Sequence, residues 1–244
     1  MNGTRLLQRA QDFLSYVFPS RCAVCGVPVS IRDRDACPRC LASIERVRDG
    51  CPRCCGAIID GECTVCGNRA FYPDRNICAG EYRGTLETLI RGYKFGKRAR
   101  LHAHLSDLAY EALGAPGLAF DCVSAVPMDG KKRWKRGFNQ SELVARALAR
   151  RLGIPYRDLL KERPGSLKQK EMRRTDRFIN VLERYEVARA DLVAGKNILL
   201  VDDILTTGAT LNECSRVLKG SGAGAVYTLT IARAGIKKLE NLLF

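Results

Sequence analysis

Apolar positions Leu6, Ala10, Phe13, Leu14 and Val17 fall on one face of a short helix, which Pro19 ends. Such a face docks on another domain or touches a membrane surface. The helix is short and not especially basic, which favours docking. Residues 21–70 have no such period. They are rich in Cys, Arg and Gly and poor in large apolar side chains, so they bury little core and need a staple. From about residue 71 the pattern becomes that of an α/β domain. Residues 76–82 and 122–126 are predicted as strands, Pro127 stopping the second, and 84–95 and 99–113 as helices. A basic loop, "MDGKKRWKRGF", is expected next, then a helix over 139–153. Residues 162–177 follow neither period and are predicted as a long exposed loop. Residues 196–201 are the cleanest buried strand, followed by a helix over 209–220 and a strand over 224–233. The expected organisation is thus an N-terminal amphipathic helix (1–20), a cysteine-rich segment (21–70) and an α/β domain (71–244). Strands alternating with helices predict a mostly parallel sheet flanked by helices, with its site beyond the carboxyl ends of the strands.

Composition adds two constraints. The 244 residues are 46% hydrophobic, which is ordinary for a globular chain, but the formal charge is +15. That excess favours a polyanionic partner or substrates rich in phosphate over a neutral ligand. Charged and polar residues interrupt the apolar ones in 1–20, so no secretory signal is expected there. No stretch approaches the roughly 20 apolar residues of a membrane span. A cytoplasmic location follows, in which paired cysteines serve as metal ligands rather than disulfides.

Eight of the 12 cysteines form four C-x-x-C pairs: Cys22/Cys25, Cys37/Cys40, Cys51/Cys54 and Cys63/Cys66. Each pair presents two thiolates on a tight knuckle, and two knuckles complete a tetrahedral zinc site. Adjacent pairing gives Cys22, Cys25, Cys37 and Cys40 as one site and Cys51, Cys54, Cys63 and Cys66 as the other; a cross-braced pairing has the same spacing. Eight thiolates and two zinc ions would lower the charge of +15 by four, to +11, still strongly basic. Four sulfurs close the coordination shell, so both sites are expected to be structural. Loss of Cys22 or Cys51 is then expected to unfold the ribbon and spare the α/β part. Arg39, Arg46, Arg48 and Arg53 suit a nucleic-acid face or a packing surface equally. Cys55 is expected to be a bystander beside Cys54, and Cys78, Cys122 and Cys214 small core residues.

The stretch "LLVDDILTTGATL" (199–211) carries the most specific chemistry. Asp202 and Asp203, at the end of a buried strand, can accept hydrogen bonds from vicinal hydroxyls such as those of a ribose. Thr206, Thr207, Gly208, Ala209 and Thr210 offer successive backbone N–H groups, three hydroxyls and a helix N-terminus, a nest for one phosphate. Acids for a sugar and amides for its 5′-phosphate would share one ligand. A helix cap needs one acceptor, not two acids and three threonines.

This stretch resembles the ribose-5-phosphate motif of type I phosphoribosyltransferases, which bind phosphoribosyl diphosphate (PRPP). With "YRGTLETLIRGYKFGKR" (82–98), "SAVPMDGKKRWKRGFNQSELV" (124–144), "QKEMRRTDRFIN" (169–180) and a preceding double zinc ribbon, the chain resembles the ComF competence-protein family from about residue 20 to 233. The resemblance implies a type I phosphoribosyltransferase-like sheet. It assigns the ribose hydroxyls to Asp202 and Asp203 and the 5′-phosphate to 206–210. A diphosphate loop would begin at Met128 and Asp129, with Lys131, Lys132, Arg133, Lys135 and Arg136 in or beside it. A hood loop would span 162–177, with Gln169, Arg177 and Asn180 at family-like positions and Lys170, Arg173 and Arg174 adding charge. Lys94 and Phe95 resemble a segment lining the site, and a plain surface helix fits that stretch equally well. Magnesium would accompany PRPP. Purine-salvage enzymes carry an acid four positions after the first motif acid, where this chain has Thr206, so the acceptor stays unnamed. The family implies a role in natural competence, with three alternatives open: phosphoribosyl transfer to an unidentified acceptor, non-catalytic sensing of PRPP or nucleotide, and a factor handling single-stranded DNA. Weak, sequence-independent binding of single strands and a protein partner in the uptake machinery are the expected interactions.

Overall fold

The structure is a computed structural model describing residues 20–30, 33–47, 50–56, 58–63, 71–96, 98–114, 117–163 and 184–234. Two small hairpins and a helical turn form the N-terminal part: β1 (Ser20–Arg21) with β2 (Pro28–Val29), α1 (Pro38–Ala42), and β3 (Ile58–Ile59) with β4 (Glu62–Cys63). The main body runs β5 (Arg75–Glu81), α2 (Gly84–Phe95), α3 (His102–Leu113), β6 (Cys122–Ala125), α4 (Gly130–Arg136) and α5 (Gln140–Leu152). It continues with β7 (Leu160–Glu162), β8 (Tyr185–Val187), β9 (Asn197–Leu205), α6 (Ala209–Gly220) and β10 (Ala225–Arg233).

Four parallel strands make the central sheet in the order β5–β10–β9–β6. Strand period 2 divides its residues between two covered faces. Leu199 and Val201 pack with Leu86, Leu105 and Val144 of α2, α3 and α5, whereas Ile198 and Leu200 pack with Leu211, Cys214 and Leu218 of α6. Each such aliphatic side chain, fully removed from water, contributes about 1.5–3 kcal/mol. Burial on both faces explains why 197–201 reads as an unbroken apolar run. The register sets Val201 beside both Ala125 and Leu229, so the carboxyl ends of β6, β9 and β10 share one edge.

The cysteine-rich segment is fastened to this sheet. Residues 45–47 run antiparallel along the outer edge of β5: Arg46 bridges Gly80, Val47 N–H donates to Ala79 O at 3.2 Å, and Glu81 N–H donates to Glu45 O at 2.9 Å. Gly80 permits this approach, since a Cβ there would lie 2.8 Å from both Glu45 O and Leu86 Cδ2. Ala36 and Ile44 enter the same apolar cluster as Leu86 and Leu89.

Two expectations need correction, and one pairing was not anticipated. The basic stretch is not a loop: Gly130–Arg136 is helical, with the Asp129 side chain accepting from Lys132 N–H at 3.0 Å and left-handed Gly137 closing it. Every residue of that turn is at least partly exposed, so no apolar period could announce it. Strand β9 runs on to Leu205, so Asp202 and Asp203 lie within it rather than at its end. Residues 160–162 and 185–187 pair antiparallel as a hairpin, too short for any period.

Candidate functional site

Strand β9 carries Asp202 and Asp203 to the carboxyl edge of the sheet, where alternation sends their side chains in different directions. Asp203 Oδ2 meets Lys94 Nζ of α2 at 2.7 Å, and the two side chains are only 17% and 14% exposed. Asp202 Oδ1 accepts from Ser141 Oγ of α5 at 3.0 Å and from Asp203 N–H at 2.8 Å. Burial, and then the neighbouring Asp203 carboxylate, push the Asp202 carboxyl up to about 7; the Asp203 N–H, Lys94 and Ser141 pull the other way. The site therefore sets two acids beside one ammonium.

Beyond β9 the chain turns through Thr206, Thr207 and left-handed Gly208 (φ 78°) into α6. Thr207 Oγ1 accepts from Ala209 N–H at 3.3 Å. Among the described residues no acceptor faces the N–H groups of Thr206, Thr207 and Gly208. Thr210 lies in the first turn of the 12-residue helix. Three amides at a helix start are the arrangement that an oxyanion fills.

Across the sheet, Val126–Asp129 leaves β6 beside Val201, Val126 N–H donating to Val201 O at 3.0 Å. Met128 is half-buried there, while Asp129 is buried and spent on capping α4. Lys131, Lys132, Arg133 and Lys135 are exposed on α4, and Arg136 lies over the Phe95 ring at 5.0 Å. The start of α5 is built from Asn139, whose side chain accepts from Ser141 N–H and donates to Val126 O, and from fully buried Gln140, whose carbonyl accepts from Tyr93 Oη. Tyr93 packs on Phe138 with ring centroids 5.4 Å apart. These bonds tie α2, α5 and the β6 loop into one frame behind Lys94 and Ser141.

Asp202, Asp203 and Thr206–Thr210 thus lie along the carboxyl end of β9 and into α6, Met128 and Asp129 leave the neighbouring strand β6, and Lys131 is exposed on α4. Gln169, Lys170, Arg173, Arg174, Arg177 and Asn180 lie outside the described residues. Lys94 sits on the acid pair, while Phe95 turns outward. Ser141 was not anticipated: it is one hydroxyl in a helix start, and only its contact with Asp202 marks it.

Cys22, Cys25, Cys37 and Cys40 gather with their sulfurs within 4.8 Å of one another. Cys51, Cys54 and Cys63 do the same, and Cys66 lies outside the described residues. The gathering follows adjacent pairing, not a cross-brace. Two Zn–S bonds of about 2.3 Å at a tetrahedral angle set sulfurs about 3.8 Å apart; Cys25 and Cys37 sulfurs are 3.8 Å apart, and those of Cys54 and Cys63 are 3.4 Å apart. Both clusters are compatible with zinc. Cys55 is buried in the core with Cys78, Cys122 and Cys214 and joins neither cluster. Arg39 and Arg53 are exposed, Arg46 pairs with Glu111 at 3.0 Å, and Arg48 lies outside the described residues. No helix among the described residues is long and apolar enough to cross a membrane.

Residues 139–242 match the model of the phosphoribosyl transferase domain family. The chain is similar to competence protein F of Haemophilus influenzae, 28% identical over 89% of this chain and 98% of that protein. It is also similar to the DNA utilization protein YhgH of Escherichia coli K12, 27% identical over 88% of this chain and 97% of that one. Among solved structures it overlays adenine phosphoribosyltransferase of Saccharomyces cerevisiae with a TM-score of 0.36 and 20% identity, covering 57% of this chain and 71% of that one.

Proposed function

Because the chain is homologous to the competence protein F and YhgH proteins and carries a phosphoribosyl transferase domain, we propose that it binds PRPP with magnesium and transfers the phosphoribosyl group during the handling of imported DNA. One observation carries the reading: an acid pair two residues before three amides that lead into α6, all at the carboxyl edge of a parallel sheet. Asp202 and Asp203 hold the ribose hydroxyls and Thr206–Thr210 the 5′-phosphate. The β6 loop at Met128–Asp129 and the exposed Lys131 receive the diphosphate, a role to which only the family resemblance adds Gln169 and Arg177. Magnesium, if it accompanies PRPP, would supply positive charge to stabilise the departing diphosphate. The bond from ribose C1 to diphosphate breaks with its electron pair leaving on oxygen, and an acceptor nitrogen forms the new bond. No protein nucleophile is required, and positioning and charge supply the rate. Titration calorimetry with PRPP and magnesium tests binding, and phosphorus NMR with candidate nitrogen acceptors tests release of diphosphate. Saturable binding without turnover for any acceptor would favour a sensor; absence of binding with the protein folded defeats both.

A second reading has its own observation. Helix α4 exposes four cations around Trp134, which is 89% exposed. An aromatic face among cations suits unstacked bases and a phosphate backbone, and nothing there suits base-edge readout. The relatives' name, DNA utilization protein, agrees with such a role. Labelled single-stranded DNA is expected to bind weakly, with affinity falling steeply as salt rises. Trp134→Ala is expected to weaken binding about 5- to 100-fold, the range of one lost base stack. Anisotropy showing no binding at low salt, or equal binding to a neutral polymer, assigns the surface to phosphate substrates or a protein partner in DNA uptake.

A further inference from the structure

Each acid of the pair has two oxygens, and the protein has already engaged one on each. Asp202 commits Oδ1 to two donors, the Ser141 hydroxyl at 3.0 Å and the Asp203 N–H at 2.8 Å. Asp203 commits Oδ2 to Lys94 Nζ at 2.7 Å. Among the described residues, Asp202 Oδ2 and Asp203 Oδ1 meet no donor. Adjacent strand residues point to opposite faces, so two unanchored carboxylates here would swing about χ2 independently. Anchoring removes that freedom: Lys94 of α2 holds Asp203, and Ser141 of α5 holds Asp202. One acceptor oxygen per acid then remains, a pair matched in number to the two hydroxyls of a cis-diol.

We propose that Lys94 and Ser141 are positioning residues that select which oxygen of each acid is presented, and that this selection makes the site discriminate ribose 5-phosphates from 2-deoxyribose 5-phosphates. This rests on the proposed ribosyl-phosphate reading of the site and adds to it the residues that enforce sugar identity. Lys94 suits the task because an ammonium donates from a point and holds a single oxygen. An Arg would offer a planar fork that takes both oxygens of a carboxylate at once. Ser141 suits it as a short hydroxyl, held by the Asn139 cap at the start of a 13-residue helix. Asp202 also has Tyr185 and Cys214 in its electrostatic surroundings, but neither donates to it.

The test compares D-ribose 5-phosphate with 2-deoxy-D-ribose 5-phosphate by titration calorimetry. Wild-type protein is expected to prefer the ribo sugar by about 10-fold or more, the usual effect of one lost hydrogen bond to a charged acceptor. Lys94→Arg keeps the charge and is expected to abolish the preference by occupying the oxygen meant for the diol. Ser141→Ala is expected to reduce the preference several-fold, and Ser141→Thr, which keeps the hydroxyl, to restore it. A thermal midpoint for each variant shows that it is folded, and Ser141→Ala removes only one oxygen should the Arg variant fail to fold. If the wild type prefers ribose and Lys94→Arg and Ser141→Ala prefer it equally, the positioning role is wrong and the ribosyl-phosphate site stands. A wild type that binds neither sugar phosphate sinks both together.

Discussion

Replacing Cys40 with serine is expected to destabilise the whole chain by several kcal/mol, not only the cysteine-rich segment. Sequence reasoning predicts an independent ribbon whose loss spares the α/β part, and the packing argues against that. Residues 45–47 supply the outer edge of β5, and Ala36 and Ile44 complete the cluster around Leu86. The second cluster is fastened too: Asn76 N–H donates to Pro52 O at 2.7 Å, and an Arg233 guanidinium N–H to Cys55 O at 2.8 Å. A structural zinc contributes roughly 10–16 kcal/mol to folding in isolated fingers, so losing one ligand releases a large share of what orders residues 20–47. Elemental analysis of the wild type is expected to give two zinc ions per chain. In Cys40→Ser, hydrogen exchange at amides of 77–82 is expected to accelerate together with that of 20–47. Exchange at 77–82 equal to wild type would restore the independent ribbon.

The second large effect concerns the acid pair. Asp203→Ala removes a carboxylate from the proposed sugar site and leaves the mostly buried Lys94 ammonium without its partner. A hydrogen bond to a charged group contributes about 1.5–3 kcal/mol, so PRPP is expected to bind roughly 10- to 100-fold more weakly. Calorimetry on the folded variant checks it, and wild-type affinity would remove Asp203 from the site. Asp202 adds a pH dependence with a definite sign. Its carboxyl is raised from an ordinary 3.8 to about 7, so between those values the folded protein holds a proton that the unfolded chain has released. Stability of the free protein is then expected to fall as pH rises from about 4 to 7, and Asp202→Asn to flatten that slope. Ligand hydroxyls need the ionised acceptor, so PRPP binding near pH 6 is expected to release a proton that Asp202→Asn does not. Calorimetry in buffers of different ionisation enthalpy separates this proton from those of the ligand's phosphates.

How much of this was legible follows from what each residue needs. The run 196–201 and the acid–threonine stretch after it announce themselves because a buried parallel strand needs unbroken apolar residues and a phosphate nest needs glycine and hydroxyls in order. The cysteine knuckles are equally plain, and the structure resolves the choice that spacing left open, in favour of adjacent pairing. Lys94 and Ser141 are of another kind. Their importance comes from a helix lying across the carboxyl edge, and neither "YKF" nor "NQS" states what it will face. Helix α4 was hidden for the opposite reason: a fully wet turn has no apolar side to show. The edge contact of 45–47 was unreadable because three residues have no period, and only the demand for glycine at position 80 betrays it.

The strand order has a consequence for how the chain is made. Strand β5 leaves the ribosome early, yet its partner inside the sheet is β10, the last strand described. At roughly 5–20 residues per second, the roughly 150 residues between them take about 7–30 s to synthesise. Through that interval the inner edge of β5 has no strand beside it, and an unpaired edge invites pairing with another chain. Its outer edge is different, because residues 45–47 emerge before β5 and can cover it at once. A nascent chain therefore has one protected edge and one open one, and zinc supplied early would protect the first while the second still awaits β10. Chains stopped before residue 225 are expected to aggregate through β5, while full-length chains refold with the closure of β10 as their late step.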